Sequence, residues 1–233
     1  MSDYIFECKS LCKNYGKKKV IENLDLKISK GKIVGLIGIN GCGKSTLIKL
    51  ANGLLTKSSG EVLIDGMKPS LDSKKIVSYL PDKNYLGQFN KVKDAFDFFC
   101  DFYEDFNKNK ALEMLAKLYI NLDDKIKILS KGTQEKLQLV LVMCRDSKLY
   151  FLDEPVAGVD PASRDYILDA LIRKFKNDST VIITTHLIQE IENILDEIVI
   201  IKDGKVFMHK SIDEVRENEG KSINTLFREV FKC

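Results

Sequence analysis

The stretch Lys32–Gly53, "KIVGLIGINGCGKSTLIKLANG", constrains the fold more than any other part of the sequence. It opens as a continuous apolar run of the kind a buried parallel strand shows. It then passes through Gly38, Gly41 and Gly43 and ends as a helical segment closed by Gly53. "GINGCGKST", residues 38–46, fits the spacing G-x-x-x-x-G-K-[ST] and lies between strand and helix, where a phosphate-binding loop must lie. Glycines let such a backbone turn its N–H groups toward phosphate oxygens, and the helix beginning near Lys44 adds its positive dipole end. Gly38, Ile39, Asn40, Gly41, Cys42, Gly43, Lys44, Ser45 and Thr46 are therefore expected to form a nucleotide site. Lys44 is expected to reach the β- and γ-phosphates and Ser45 to ligand Mg²⁺. Cys42 stands beside Lys44 at a helix N-terminus, a setting that lowers a thiol pKa and makes it reactive; on the other reading it only fills a permissive position.

Around this loop the sequence reads as alternating strands and helices. Strands are expected at Tyr4–Cys8, at 24–28, at 61–66 with its Asp65-Gly66 turn, and at 76–81, stopped by Pro81. From Lys91 to Leu118 the pattern turns helical. Phe96, Phe99, Phe102 or Tyr103, and Phe106 recur there at three-to-four spacing, a stripe read as the packed core of a helical unit rather than a binding surface. Strand–helix alternation then returns: "KLYFLDE", a helix over Pro161–Phe175, "TVIITTH", a helix over Leu187–Leu195, and a hairpin over 197–208 closed by Asp203-Gly204. The predicted class is α/β: a P-loop NTPase core with a mainly parallel sheet, an N-terminal antiparallel β subdomain and an inserted α-helical subdomain. One domain is expected over 1–233. Residues 1–82 and 145–210 form the core with its β subdomain, 83–144 the helical insert, and 211–233 C-terminal helices.

"LYFLDE", residues 149–154, sets two carboxylates at the end of a buried strand, a costly place for charge unless a cation or hydrogen bonds compensate. Asp153 suits Mg²⁺. Glu154 suits polarising an attacking water, because phosphoryl transfer needs mainly a placed nucleophile and charge neutralisation. His186 follows the apolar strand "TVIITT" at the same end of the sheet. It is expected to hydrogen-bond the γ-phosphate and keep the water and Glu154 in register.

Composition bounds the partners. Across 233 residues, 37 lysines and arginines nearly balance 34 aspartates and glutamates, and a net charge of +3 is too small an excess for nucleic acid binding. The apolar runs fall far below the roughly 18 residues that span a bilayer. No basic-then-apolar leader opens the chain. Six cysteines without a CxxC pair read as reduced thiols in a cytosolic protein.

One feature is left over. "LSKGTQEKL", residues 129–137, is a polar turn feeding an amphipathic helix expected over Thr133–Cys144, far from the phosphate loop in sequence and with nothing catalytic beside it. The P-loop, "LSKGTQ", "FLDEP", "AGVD" and "TTH" occur in that order over nearly the whole chain. This ordered set resembles the nucleotide-binding subunit of ABC transporters. The resemblance implies that two ATPase subunits pair head to tail, as a homo- or heterodimer, and that each ATP with its Mg²⁺ lies between the P-loop of one and the signature turn of the other. It implies that Ser130 and Gly132 complete the partner's site, with a hydroxyl and an exposed N–H at a helix start forming a second anion site. Tyr15 in "KNYG" matches the aromatic that stacks on adenine. Asp160 in "AGVD" matches the loop acid that contacts the other subunit, and Pro155 and Gly158 shape the turn before it.

Two positions depart from the family pattern. Lys131 and Thr133 replace a glycine and a glutamine of the signature. Asp82 stands where a glutamine contacts metal and water; a carboxylate can ligand Mg²⁺ but cannot donate a hydrogen bond while ionised. "LPD", "LSKGTQEKL" and "DEPVAGVDPASR" look most like the ABC-2 type exporter ATPases. The implied function is ATP hydrolysis that drives a separate transmembrane permease subunit, from a cytoplasmic position on the inner face of the cell membrane. The alternative is a soluble ABC-type ATPase switch without a membrane partner, although such proteins carry two modules or a long insertion that this chain lacks. A nucleotide kinase or GTPase leaves the signature turn and His186 unexplained.

Overall fold

The computed structural model describes residues 3–155, 159–175, 179–220 and 222–231. The chain opens with strands β1 (Tyr4–Tyr15), β2 (Lys18–Ser29) and β3 (Ile33–Ile37), then helix α1 (Lys44–Ala51), β4 (Ser59–Ile64), the short α2 (Leu71–Lys75) and β5 (Val77–Leu80). Helices α3 (Val92–Phe102), α4 (Lys108–Lys117) and α5 (Lys131–Met143) follow. The chain then returns through β6 (Leu149–Asp153), α6 (Pro161–Phe175), β7 (Thr180–Thr184), α7 (Ile188–Ile191), β8 (Glu197–Lys202) and β9 (Lys205–Ser211) to α8 (Ile212–Glu219) and α9 (Ile223–Phe231).

Two sheets result. One is three-stranded and antiparallel in the order β2-β1-β4, and the other runs β5-β6-β7-β3-β8-β9, parallel except for β9. The mainly parallel core with an antiparallel β unit is thus the predicted class. The apolar strands of the larger sheet divide their side chains between its two faces, as a period of two requires. Val34, Leu36, Leu149, Phe151, Ile182, Val199 and Ile201 pack toward α1 and the antiparallel sheet. Tyr150, Leu152, Val181, Ile183, Ile198 and Ile200 pack toward the helical insert and the C-terminal helices. A run that reads as uniformly apolar is therefore a strand buried on both sides.

Several predicted bounds shift. β1 continues to Tyr15, past Cys8, because Ser10 takes a positive φ of 44° and donates its N–H to Asp25 Oδ1 at 2.8 Å, so the ladder resumes after an irregularity. β2 is longer than 24–28 for the same pairing. The single helical run from Lys91 to Leu118 is two helices. Asp105, between them, turns away to form a two-point ion pair with the buried Arg145 (3.0 and 3.1 Å), and Asn107 caps α4 by accepting the Lys110 N–H. Phe96, Phe99 and Phe106 are buried as expected, and of the two alternatives at the remaining position Tyr103 packs against the core while Phe102 is 66% exposed. The helix expected over Leu187–Leu195 is one α-turn followed by a 3₁₀ turn at Glu192–Ile194. Gly158 and Cys233 lie outside the described residues.

Candidate functional site

The carboxyl ends of β3, β5, β6 and β7 meet on one edge of the parallel sheet, where an open α/β sheet forms its crevice. Asn40, Gly41, Gly43, Lys44, Ser45, Thr46, Asp82, Asp153, Glu154 and His186 line one open cleft of about 480 Å³ there.

The phosphate loop is wound by close approach as well as by dihedral freedom. A Cβ on Gly38 would lie 2.5 Å from both Cys42 Sγ and the Ile201 carbonyl oxygen, so no larger residue fits. Gly43 takes φ 112°, a conformation L side chains avoid, and leads directly into α1. The Lys44 ammonium is folded over the loop, donating to the carbonyls of Gly38 (2.6 Å) and Ile39 (3.2 Å). Cys42 turns inward, away from the cleft. Burial holds its thiol above the ordinary range, against a smaller opposing pull from Lys44. The structure thus speaks against a low-pKa, reactive Cys42 and for the space-filling reading.

The acidic pair is held by β7. Asp153, 3% exposed, receives a 2.5 Å hydrogen bond from the Thr184 hydroxyl. Glu154 adopts φ +55°, a strained conformation for a non-glycine residue. Its N–H is shared between the Thr184 carbonyl and hydroxyl oxygens, both at 3.1 Å. This kink sends the Glu154 carboxylate to His186, whose Nδ1 lies 2.8 Å from Oε2 and whose backbone N–H donates to the same oxygen at 3.3 Å. Thr184 is a site residue that sequence reasoning missed. The sequence shows only a hydroxyl residue ending an apolar strand; the pairing of β6 with β7 is what sets it beside the acidic pair.

Other predicted residues stand apart from the cleft. Ile39 points outward. Tyr15 ends β1, half-exposed, with Lys13 Nζ 4.8 Å from its ring centre. Ser130 caps α5, its Oγ accepting the Thr133 N–H at 3.1 Å; the helix begins at Lys131 rather than Thr133, so Gly132 sits in its first turn. Asp160 caps α6 through the Ser163 N–H and pairs with Lys136 of α5 at 2.6 Å. The Lys136 hydrogen bond, then the Ser163 N–H, hold the Asp160 carboxyl well below the usual range. Tyr15, Ser130, Gly132 and Asp160 are therefore not gathered into the cleft within one chain.

The donor set of the cleft is oxygen: Ser45, Asp82 and Asp153. Among the described residues, no group of three or more His, Cys, Asp and Glu side chains could hold a metal ion. One or two carboxylates with a hydroxyl suit Mg²⁺, which is usually held jointly by protein, water and phosphate. The buried Tyr79 hydroxyl, on β5, has no hydrogen-bond partner among the described residues; burial first, then the charges of Asp153 and Asp82, keep it protonated as a donor. The residues present fit that ion.

The family model described as "ABC transporter" matches residues 21–157. The lantibiotic transport ATP-binding protein SrtF of Streptococcus pyogenes is 31% identical over 217 residues, 90% of this chain and 92% of that protein. A solved ATP-binding subunit of an ABC transporter superposes with a TM-score of 0.87 at 25% identity, over 97% of this chain and 99% of the other. A bacterial Atm1-family ABC exporter with ATP bound shares the fold, with a TM-score of 0.83 at 15% identity over 97% of this chain and 42% of that one.

Proposed function

Because the chain belongs to the ABC transporter family as an ATP-binding, ATP-hydrolysing subunit, we propose that it works as a dimer that closes around two Mg-ATP molecules and drives a separate membrane permease of the ABC-2 exporter type. The observation that carries this reading is the cleft itself, where Lys44, Ser45, Asp153, Glu154 and His186 converge from three strands of one sheet. Lys44 binds the β- and γ-phosphates. Ser45 and Asp153, with Asp82, are the ligands for Mg²⁺, which when bound neutralises charge on the phosphates. Glu154 orients and polarises the attacking water, and His186, hydrogen-bonded to Glu154, bridges it to the γ-phosphate. Tyr15 supplies the adenine platform.

Ser130 and Gly132 serve the nucleotide of the opposite subunit. Their absence from the lining of the chain's own cleft supports that assignment, and so does the ion pair of Asp160 with Lys136 of the same helix. ATP favours the closed pair, and hydrolysis opens it by setting product charges against each other.

No helix among the described residues is long and apolar enough to cross a membrane. The contact with the permease is therefore a surface contact. An apolar groove of about 310 Å³ beside the Asp82–Phe89 loop, lined by Tyr85, Phe89, Phe98 and Tyr103 among others, suits one amphipathic helix of that partner. The likeness to a lantibiotic transport ATP-binding protein supports a transport role, and the stretches "LPD", "LSKGTQEKL" and "DEPVAGVDPASR" support the ABC-2 assignment. Detergent extraction of membranes containing the tagged chain tests the proposal. A multi-helix protein is expected to co-purify and to alter the ATPase rate when added back. Turnover indifferent to every membrane component points instead to the soluble switch.

A further inference from the structure

Gln134 lies in the signature stretch, on the first turn of α5. Its side-chain amide faces two directions. Nε2 donates to the carbonyls of Ile126 (3.0 Å) and Leu129 (3.1 Å), the latter immediately before Ser130. Oε1 accepts from Asn84 Nδ2. Asn84 in turn accepts the Leu86 N–H on Oδ1 at 2.7 Å. One turn along α5, the buried Gln138 accepts the Tyr85 N–H at 3.0 Å. An unbroken chain of hydrogen bonds thus runs from the backbone of the signature turn, through Gln134 and Asn84, to the loop between Asp82 and Phe89. The amide suits this place because Nε2 carries two donors while Oε1 accepts, whereas an ionised carboxylate could only accept.

We propose that Gln134 is a positioning residue that fixes the attitude of the Ser130–Gly132 turn relative to the Asp82–Phe89 loop. A movement imposed on that loop is then transmitted to the turn. This rests on the reading above, in which the turn closes the partner's nucleotide. It adds a specific consequence: Gln134 acts in trans, on the ATP held by the other subunit's P-loop.

Mixed dimers test it. A Lys44→Ala chain combined with a Ser130→Ala chain retains one complete pocket, with its P-loop from the second chain and its turn from the first. Asn84→Asp keeps an acceptor for the Leu86 N–H but removes the donor to Gln134; Gln134→Glu keeps the acceptor for Asn84 but cannot donate to Leu129. Either change, placed on the Lys44→Ala chain, is expected to lower turnover about tenfold, the order of effect of one lost hydrogen bond. The same change on the Ser130→Ala chain is expected to cost several-fold less. Equal losses in both placements, or a larger loss in the chain lending the P-loop, overturn the inference. They assign Gln134 to stability or to its own site. Absence of activity in the unmodified mixture instead overturns the composite-pocket reading, and the inference with it.

Discussion

The Thr184 hydroxyl donates to Asp153 Oδ1 at 2.5 Å, and its own oxygen, Thr184 Oγ1, accepts the N–H of Glu154 at 3.1 Å. One side chain on β7 therefore fixes both carboxylates at the end of β6. A hydrogen bond to a buried charged group contributes about 1.5–3 kcal/mol. Thr184→Val, nearly isosteric, is expected to destabilise the chain by about 1–3 kcal/mol in urea titration and to lower ATP turnover by about tenfold or more. A variant with unchanged midpoint and unchanged turnover contradicts this role.

Glu154→Gln keeps the shape of the side chain and removes its charge. The variant is expected to bind ATP but stall in turnover, and to run as a stable dimer on a sizing column when ATP is present. A monomer that still hydrolyses ATP refutes the role assigned to Glu154.

Lys44 is buried over its loop, and in the proposed function it supplies the charge that faces the phosphates. Lys44→Ala is expected to abolish nucleotide binding in titrations with a fluorescent ATP analogue. Retained affinity removes Lys44 from the site.

Thiol chemistry gives a pH-dependent prediction. Burial raises the Cys42 pKa, so its thiolate is scarce at neutral pH and appears only as pH climbs above the ordinary value of about 8.5. Cys12 is shifted the other way, first by its hydrogen bond with Ser59 and then by the Asn23 N–H. Alkylation followed by mass spectrometry is expected to label Cys12 first at neutral pH. Cys42 is expected to react only at alkaline pH, and then to block ATP binding. Labelling of Cys42 ahead of Cys12, or full ATP affinity in a sample labelled at Cys42, contradicts this order.

The features legible in the sequence are those whose chemistry is local. The phosphate loop declares itself because Gly38, Gly43, Lys44 and Ser45 must follow one another at fixed spacing, and the acidic pair because charge at the end of an apolar strand needs a reason. Thr184 was not legible as a site residue. Its partner lies 31 positions away, and only the pairing of β6 with β7 brings the two together. The break between α3 and α4 was hidden likewise. Asn107 is a cap signal that periodicity overrode, while the ion pair of Asp105 with Arg145 spans 40 positions. The persistence of β1 beyond Cys8 depends on Asp25 accepting from Ser10, again a tertiary contact.

The central claim is that no single copy owns a whole catalytic pocket. Its most direct test mixes two inactive proteins, Lys44→Ala and Ser130→Ala, and measures ATP hydrolysis against each alone. The account predicts that activity reappears on mixing, toward the one-quarter of wild-type turnover that random pairing into one sound pocket per mixed dimer allows at about equal amounts. A mixture as inactive as its components, alongside an unaltered chain that hydrolyses ATP as a monomer at every concentration, contradicts it.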